Sequence, residues 1–230
     1  MRNLSHCAVL LLVVLAMPLL CAQDVIDRVV ATVNGNVILQ SDWDDAVRFE
    51  AFIEGRPLSQ VTAEDRAHTL DRLIDQELVR EQSQGSEAPQ PSADEIRKKV
   101  QEIQSQHSAT TPGSWQAALA NYGIDEKRLQ AHLAHDFSIL RQVEARLRPT
   151  VQIDPQSVES YYRDEFLPKL RSAGAHEIPL AQVAAKIREI LTQKRVNELF
   201  TSWVQNLRAG SKIRTPGIAS SPSAAGGQGE

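Results

Sequence analysis

Apolar residues follow two different spacings along this chain. Between Val25 and Leu39 they form short runs of β-type side chains on either side of Asn34 and Gly35. An Asn-Gly pair favours a two-residue hairpin turn, because both of its positions adopt positive φ. We therefore predict a β-hairpin over 25–39, which needs a further strand or a helix packed against it to be stable in water.

After the hairpin, apolar residues recur every three or four positions, which is the spacing of amphipathic helices. Helices are expected to begin at capping residues or prolines and to end at Gly or Pro. Their predicted starts are Ser41, Thr62, Ser92, Trp115, Asp125, Asp154 and Pro179. The predicted ends include Ile53 for the first helix and Pro168 and Gly174 for the sixth, and Pro112 is expected to interrupt the chain before Trp115.

The helix after Asp125 has the clearest amphipathic pattern, and the helix after Pro179 is the longest. The first pattern consists of Leu129, Leu133, Phe137, Leu140, Val143 and Leu147. The last helix is expected to reach Leu207, a length of ~45 Å at 1.5 Å per residue. Ser211 to Arg214 could then supply the third strand beside the hairpin. The predicted fold is mostly α, with about seven helices and a small antiparallel sheet formed by the N-terminal hairpin and a C-terminal strand.

The two ends of the sequence are expected to lie outside this fold. Residues 1–22 have the pattern of a cleavable signal peptide, with an apolar run from Cys7 to Leu20 and cleavage after Ala22. An alternative interpretation makes Cys21 the lipidated first residue of a lipoprotein. The segment 215–230 lacks large apolar residues and is expected to be disordered. The chain is thus predicted to be exported, with no membrane insertion after signal cleavage.

The two cysteines, Cys7 and Cys21, both lie in the expected signal peptide. The remaining chain would then have no disulfide, no thiol nucleophile and no thiolate metal site. Removal of Arg2 with the signal changes the formal charge from −4 to −5, and basic and acidic residues are interspersed. This charge pattern does not indicate a nucleic acid or an anionic membrane surface as a partner.

Candidate chemistry is sparse. His132, His135 and Asp136 are three or four positions apart on one helix, so they could contribute to a zinc site, but a third strong ligand is lacking. The alternative is a solvated polar face opposite Leu133 and Phe137. No glycine-rich phosphate loop and no Gly-x-Ser-x-Gly motif occurs, so neither a nucleotide nor any other cofactor is predicted.

Aromatic residues suggest a binding surface. Trp43, Trp115 and Trp203 are interpreted either as ordinary helix packing or as part of an apolar groove that takes in chain segments. Trp115 is the best groove candidate, because loop signals flank its helix. The residues predicted to bind peptide are Phe49, Phe52, Ile53, Trp115, Leu119 and Tyr122.

Three segments resemble one known family. The segment from Asp24 to Asp42 (DVIDRVVATVNGNVILQSD) resembles the opening of the SurA-type periplasmic chaperones and their relatives among the parvulin-type prolyl isomerases. The stretch 70–80 (LDRLIDQELVR) is similar to the family's next helix. The stretch 178–191 (IPLAQVAAKIREIL), with Trp203 and Lys212 to Arg214 after it, is similar to the returning C-terminal helix and strand. The resemblance covers nearly all of 23–214, as one module of two parts, 23–167 and 178–214.

One departure from the family pattern is large. Isomerase members carry a parvulin domain of about 90 residues before the returning helix. Here only Arg163 to Ile178 lies at that place, and His176 lacks the partners of a parvulin histidine. The resemblance therefore implies the chaperone module alone, without catalysis.

What the resemblance implies is a periplasmic protein that binds unfolded exported polypeptides, in particular outer-membrane protein precursors, without ATP. Two alternatives remain open at this point: a degenerate prolyl isomerase, and an adaptor for one folded envelope partner. The sequence does not indicate the oligomeric state.

Overall fold

The computed structural model describes residues 27–83, 90–108 and 111–216. Strands β1 (Val29–Val33) and β2 (Asn36–Leu39) form the predicted hairpin, and Asn34 and Gly35 have φ values of 52° and 100°. Strand β3 (Ile213–Arg214) pairs antiparallel with β1, with Val33 opposite Ile213, so the sheet order is β2-β1-β3. The predicted C-terminal strand is therefore confirmed.

Asn34 fastens the two ends of the fold to each other and to a helix. Its side chain accepts a hydrogen bond from Lys212 N at 2.8 Å and donates to Glu81 Oε2 at 2.7 Å. Glu81 Oε1 also accepts from Asn36 Nδ2 at 2.5 Å. The tight turn thus supplies both the backbone geometry and the polar contacts that hold β3 in place.

Helices make up most of the described chain. Their bounds are α1 Gln40–Ile53, α2 Ala63–Gln82, α3 Ala93–Gln106, α4 Pro112–Ala120, α5 Glu126–Leu147, α6 Pro155–Tyr161, α7 Leu167–Ser172 and α8 Leu180–Gly210. A π turn, Tyr162–Phe166, joins α6 and α7 into one continuous helical segment. Counted in this way, the described residues form seven helical segments, as predicted. Two 3₁₀ turns, Leu58–Gln60 and Arg148–Thr150, lie between helices.

Side-chain caps start several helices where the sequence predicts them. Thr62 N donates to Asp65 Oδ2 at 2.8 Å, and Asp65 N donates back to Thr62 Oγ1 at 3.1 Å. Ser92 and Glu95 form the same reciprocal pair at the start of α3. Backbone hydrogen bonds from Thr62 and Ser92 are the main reason that the pKa values of Asp65 and Glu95 fall to about 2.

Three predicted helix boundaries are wrong. Helix α1 begins at Gln40, with Asp42 bonded to Leu39 N at 3.2 Å, while Ser41 bonds to Asp27 and does not cap the helix. Pro112 does not interrupt the chain, because it occupies the first turn of α4, where no amide donor is needed. Pro168 does not end the sixth helix, since the preceding π turn removes the backbone clash that proline causes in a regular helix.

Buried apolar residues form three clusters. The hairpin core joins the sheet to α2 through Val30, Val33, Ile38, Leu70, Ile74 and Leu78. The second cluster, called the distal core, joins Phe49 and Phe52 of α1 to buried residues of α3, α4 and α5, including Trp115 and Leu119 of α4. The third cluster brings Val79 of α2, Val143 of α5 and Val204 of α8 together. Helix α8 therefore returns across the molecule and closes the fold against α2 and α5.

The predicted signal peptide, with its cleavage site and the alternative lipidation at Cys21, lies outside the described residues. So does the predicted disordered tail, apart from Thr215 and Pro216, which are exposed. Within the three described ranges, no helix combines the length and the apolar character needed to cross a membrane. Residues 163–178 are all described and form the π turn, α7 and a loop, so no separate domain is inserted there.

Candidate peptide-binding cleft between three helices

The six residues predicted to bind peptide all lie in the distal core. Phe52 is fully buried, and Phe49, Trp115 and Leu119 are no more than 5% exposed. Ile53 and Tyr122 are partly buried and pack against the same cluster. The four buried side chains therefore form a closed core and not the open groove that was expected. Client binding by these six residues stays a prediction.

The side chains of Trp115 and Phe52 find their contact partners within the protein. The indole Nε1 of Trp115 donates to Glu126 Oε2 at 3.0 Å, and Trp115 also lines a surface pocket together with mostly polar residues. Phe52 stacks on His107 at 4.3 Å and contacts Tyr122 edge to face at 5.2 Å. Aromatic side chains that already contact one another in these ways leave little apolar surface for a ligand.

A separate cleft opens between α2, α5 and α8. It has a volume of about 360 Å³ and is lined mostly by apolar atoms. The apolar lining residues are Val79, Ile139, Leu140, Val143, Val196 and Phe200. Each helix contributes one stripe at three- and four-residue spacing, for example Ile139, Leu140 and Val143 on α5, because residues at that spacing lie on one helix face.

The floor of the cleft is buried and its mouth is exposed. Val79, Val143 and Val196 are at most 6% exposed, whereas Leu140 at the edge is 53% exposed. Ile190, one turn before Gln193 on α8, is 39% exposed and lines an adjoining shallow groove. Two of the four large apolar side chains that are exposed among the described residues thus border this region. Exposed apolar side chains beside an apolar cleft are typical of a binding surface.

Polar residues surround this apolar floor. They are Arg72, Asp75, Gln76, Asp136, Glu144, Gln193 and Asn197. Several of them bond across the helices: Gln76 Nε2 donates to Asp136 Oδ1 at 3.3 Å, and Gln193 Nε2 donates to Glu144 Oε1 at 3.0 Å. These contacts link α2 and α8 to α5 beside the cleft and satisfy the four side chains that form them.

His132 connects the distal core to the cleft. Its ring stacks on Phe49 at 4.4 Å, and its Nε2 lies 3.3 Å from Asp136 Oδ2. Burial lowers the pKa of His132, although the nearby Asp136 carboxylate opposes this shift. The expectation that His132 belongs to a solvated face is therefore wrong, whereas His135 is exposed. In the described part of the chain, no three histidine, cysteine or acidic residues are grouped so that they could bind a metal ion.

The sequence did not single out the cleft. Its apolar residues have the same spacing as any helix that packs on one side, and the polar residues carry no catalytic motif. The sequence feature that could have indicated the cleft was the length of the apolar stripe on α5. Helix α5 has 22 residues and α4 only nine, so the C-terminal half of the stripe needed a partner distant in sequence.

Comparison with known proteins agrees with this architecture. The model of the SurA-like N-terminal domain family matches residues 1–143, which include the hairpin, α1 to α4 and the part of α5 up to Val143. Two walls of the cleft belong largely to the matched region, and α8 supplies the third. No curated protein matches the chain. The family is consistent with a chaperone-like role. The chain belongs to the SurA-like N-terminal domain family.

Proposed function

We propose that this protein is a periplasmic chaperone that binds unfolded exported polypeptides in the cleft between α2, α5 and α8. The observation that carries the proposal is the apolar strip from the buried Val143 to the exposed Leu140, in a member of this family. Binding needs no reaction and no ATP, because a cleft with an apolar floor and an exposed mouth permits weak, reversible contacts. Release then follows from modest affinity.

Outer-membrane protein precursors are the proposed clients. The strands of these proteins alternate apolar and polar residues, so an extended unfolded segment presents apolar side chains along one face. A cleft with one apolar floor and polar sides fits such a face. It does not select a single sequence, which suits a protein with many clients.

Suppression of aggregation tests this proposal. A urea-unfolded outer-membrane β-barrel protein is diluted into buffer with increasing amounts of the purified protein, and light scattering is recorded. We expect scattering to fall at near-stoichiometric ratios, with an unrelated helical protein of similar charge as the control. Undiminished scattering at a tenfold molar excess would contradict the proposal.

We also propose that the protein performs no catalysis. His176, the one residue that resembles a parvulin histidine, lies exposed in the loop between α7 and α8. Uncatalysed Xaa-Pro isomerisation takes tens of seconds at 25 °C, and we expect the protein to leave that rate unchanged. A rate increase that His176→Ala abolishes would favour the isomerase alternative. Recovery of one stable complex with a single folded envelope protein would favour the adaptor alternative.

A further inference from the structure

Asp136 differs from the other charged residues that line the cleft. Asp75 is bonded to Arg208 at 2.5 Å, Glu144 lies 3.3 Å from Arg148, and Arg72 lies 3.1 Å from Glu50. Asp136 contacts the neutral amide of Gln76 and the imidazole of His132, both at 3.3 Å. Among the acidic lining residues, which are all described, Asp136 is the one that has neither a lysine nor an arginine partner.

The imidazole of His132 does not balance this charge near neutral pH. The His132 side chain is only 16% exposed and lies flat on Phe49. Burial lowers the pKa of His132, with smaller contributions in the same direction from Arg72 and His135 and opposing ones from Asp136 and Glu50. A neutral His132 leaves the Asp136 carboxylate without a directly paired cation, with its side chain 29% exposed beside an apolar floor.

The spacing of Asp136 and Leu140 matches an extended chain. They are four residues apart on α5, which corresponds to ~6 Å along a helix that rises 1.5 Å per residue. In an extended segment, residues i and i+2 point to the same side and lie ~6.6 Å apart. A client can therefore place one side chain at Asp136 and, two residues away, a second one on Leu140.

From this geometry we propose that Asp136 is a specificity-determining residue of the cleft, which selects unfolded segments with a Lys or Arg two positions from a large apolar residue. This inference rests on the proposed function of the cleft. The cation of the client contacts the Asp136 carboxylate, and the apolar side chain lies against Leu140 and Val143. The polar residue between them faces away from the protein, as in a β-barrel strand.

Matched peptides test the preference. Three fluorescein-labelled extended Phe/Ser peptides contain Lys-Ser-Phe, Gln-Ser-Phe or Glu-Ser-Phe at the centre, and a fourth places Lys directly beside Phe. Fluorescence anisotropy gives the dissociation constant of each for the whole protein. A partly exposed ion pair changes affinity by about two- to fivefold, so the Lys-Ser-Phe peptide should bind tighter than the Gln-Ser-Phe peptide by this factor. The Glu-Ser-Phe peptide should bind weakest.

Two isosteric variants separate the effect of Asp136 from a general effect of negative charge in the cleft. Asp136→Asn should bring the Lys-Ser-Phe and Gln-Ser-Phe peptides to equal affinity. Glu144→Gln removes the same formal charge from the same cleft, but that carboxylate is paired with Arg148, so most of the preference should persist. Circular dichroism checks that both variants fold.

The dependence of the Lys preference on salt and pH is a further test, because a purely structural role of Asp136 would not produce it. The Lys preference should shrink at high ionic strength, because exposed charges are screened within ~3 Å at 1 M salt. It should also shrink below the usual histidine pKa of about 6.5, as His132 becomes protonated beside Asp136. Equal affinity for the Lys and Gln peptides in the unmodified protein would overturn the inference while leaving the proposed function intact. If none of the peptides binds, both the inference and the proposed function are contradicted.

Discussion

Leu140 offers the sharpest test of the cleft by mutation. It lies on α5 at the mouth of the cleft, and its large exposed fraction, 53%, means that the folded protein gains little from it. Leu140→Gln keeps a good helix former of similar volume and adds no charge. Stability should therefore change little, while client affinity should fall.

The expected loss follows from the exposed area. Complete burial of a leucine side chain contributes about 1.5–3 kcal/mol, and roughly half of Leu140 is still available to be buried by a client. The loss is then about 0.8–1.5 kcal/mol, or about four- to twelvefold in the dissociation constant. Fluorescence anisotropy with an uncharged Phe/Ser peptide measures this change.

Leu58 provides the matched control. It is exposed to a similar extent, 38%, in the 3₁₀ turn after α1, and it does not line the cleft. Leu58→Gln should leave peptide affinity unchanged. If the two variants lose affinity equally, or if only Leu58→Gln does, the cleft is not where the peptide binds.

Three further changes test the fold. Gly35→Val should lower the free energy of unfolding by about 1–2 kcal/mol, because Gly35 has φ of 100°. Gly113→Ala should not lower it, because Gly113 lies in α4 without positive φ and alanine favours a helix more than glycine does. Urea denaturation compares the two. The capping carboxyls of Asp65 and Glu95 have pKa values depressed to about 2. Their contribution to the free energy of unfolding is therefore complete above the ordinary carboxyl pKa of about 4 and should disappear between pH 4 and pH 2. Replacing both carboxyls by amides should flatten that part of a curve of stability against pH. Arg208→Met removes the ion pair of α8 with Asp75 and should cost about 1 kcal/mol, and a thermal melt unchanged from that of the unmodified protein would show that this attachment is unimportant.

Local signals in the sequence were enough to predict much of the fold. The Asn34-Gly35 turn and the Thr62 and Ser92 caps each depend on a few adjacent residues, and each is present in the structure. The errors at Ser41 and Pro168 have causes that the capping and proline rules do not include. Ser41 bonds to Asp27 across the hairpin, and Pro168 is accommodated by a π turn that no residue type predicts.

The position of the binding surface could not be predicted from local patterns. Trp115 and Leu140 both belong to ordinary helical stripes, and the sequence does not show which stripe another element covers. In the structure α3, α5 and Phe52 of α1 cover Trp115, whereas α8 returns to α5 beside Leu140 without covering it. This difference depends on contacts between residues more than fifty positions apart, as between Val143 of α5 and Val204 of α8.

Amide hydrogen exchange with and without an unfolded outer-membrane β-barrel protein tests most directly whether clients bind between α2, α5 and α8. We predict slower exchange on client addition in 136–144 of α5 and in 193–200 of α8, with the amides of 115–122 unchanged. Protection that is confined to 115–122 and the end of α1, with α8 unaffected, would place the client on the distal core and contradict binding in the cleft.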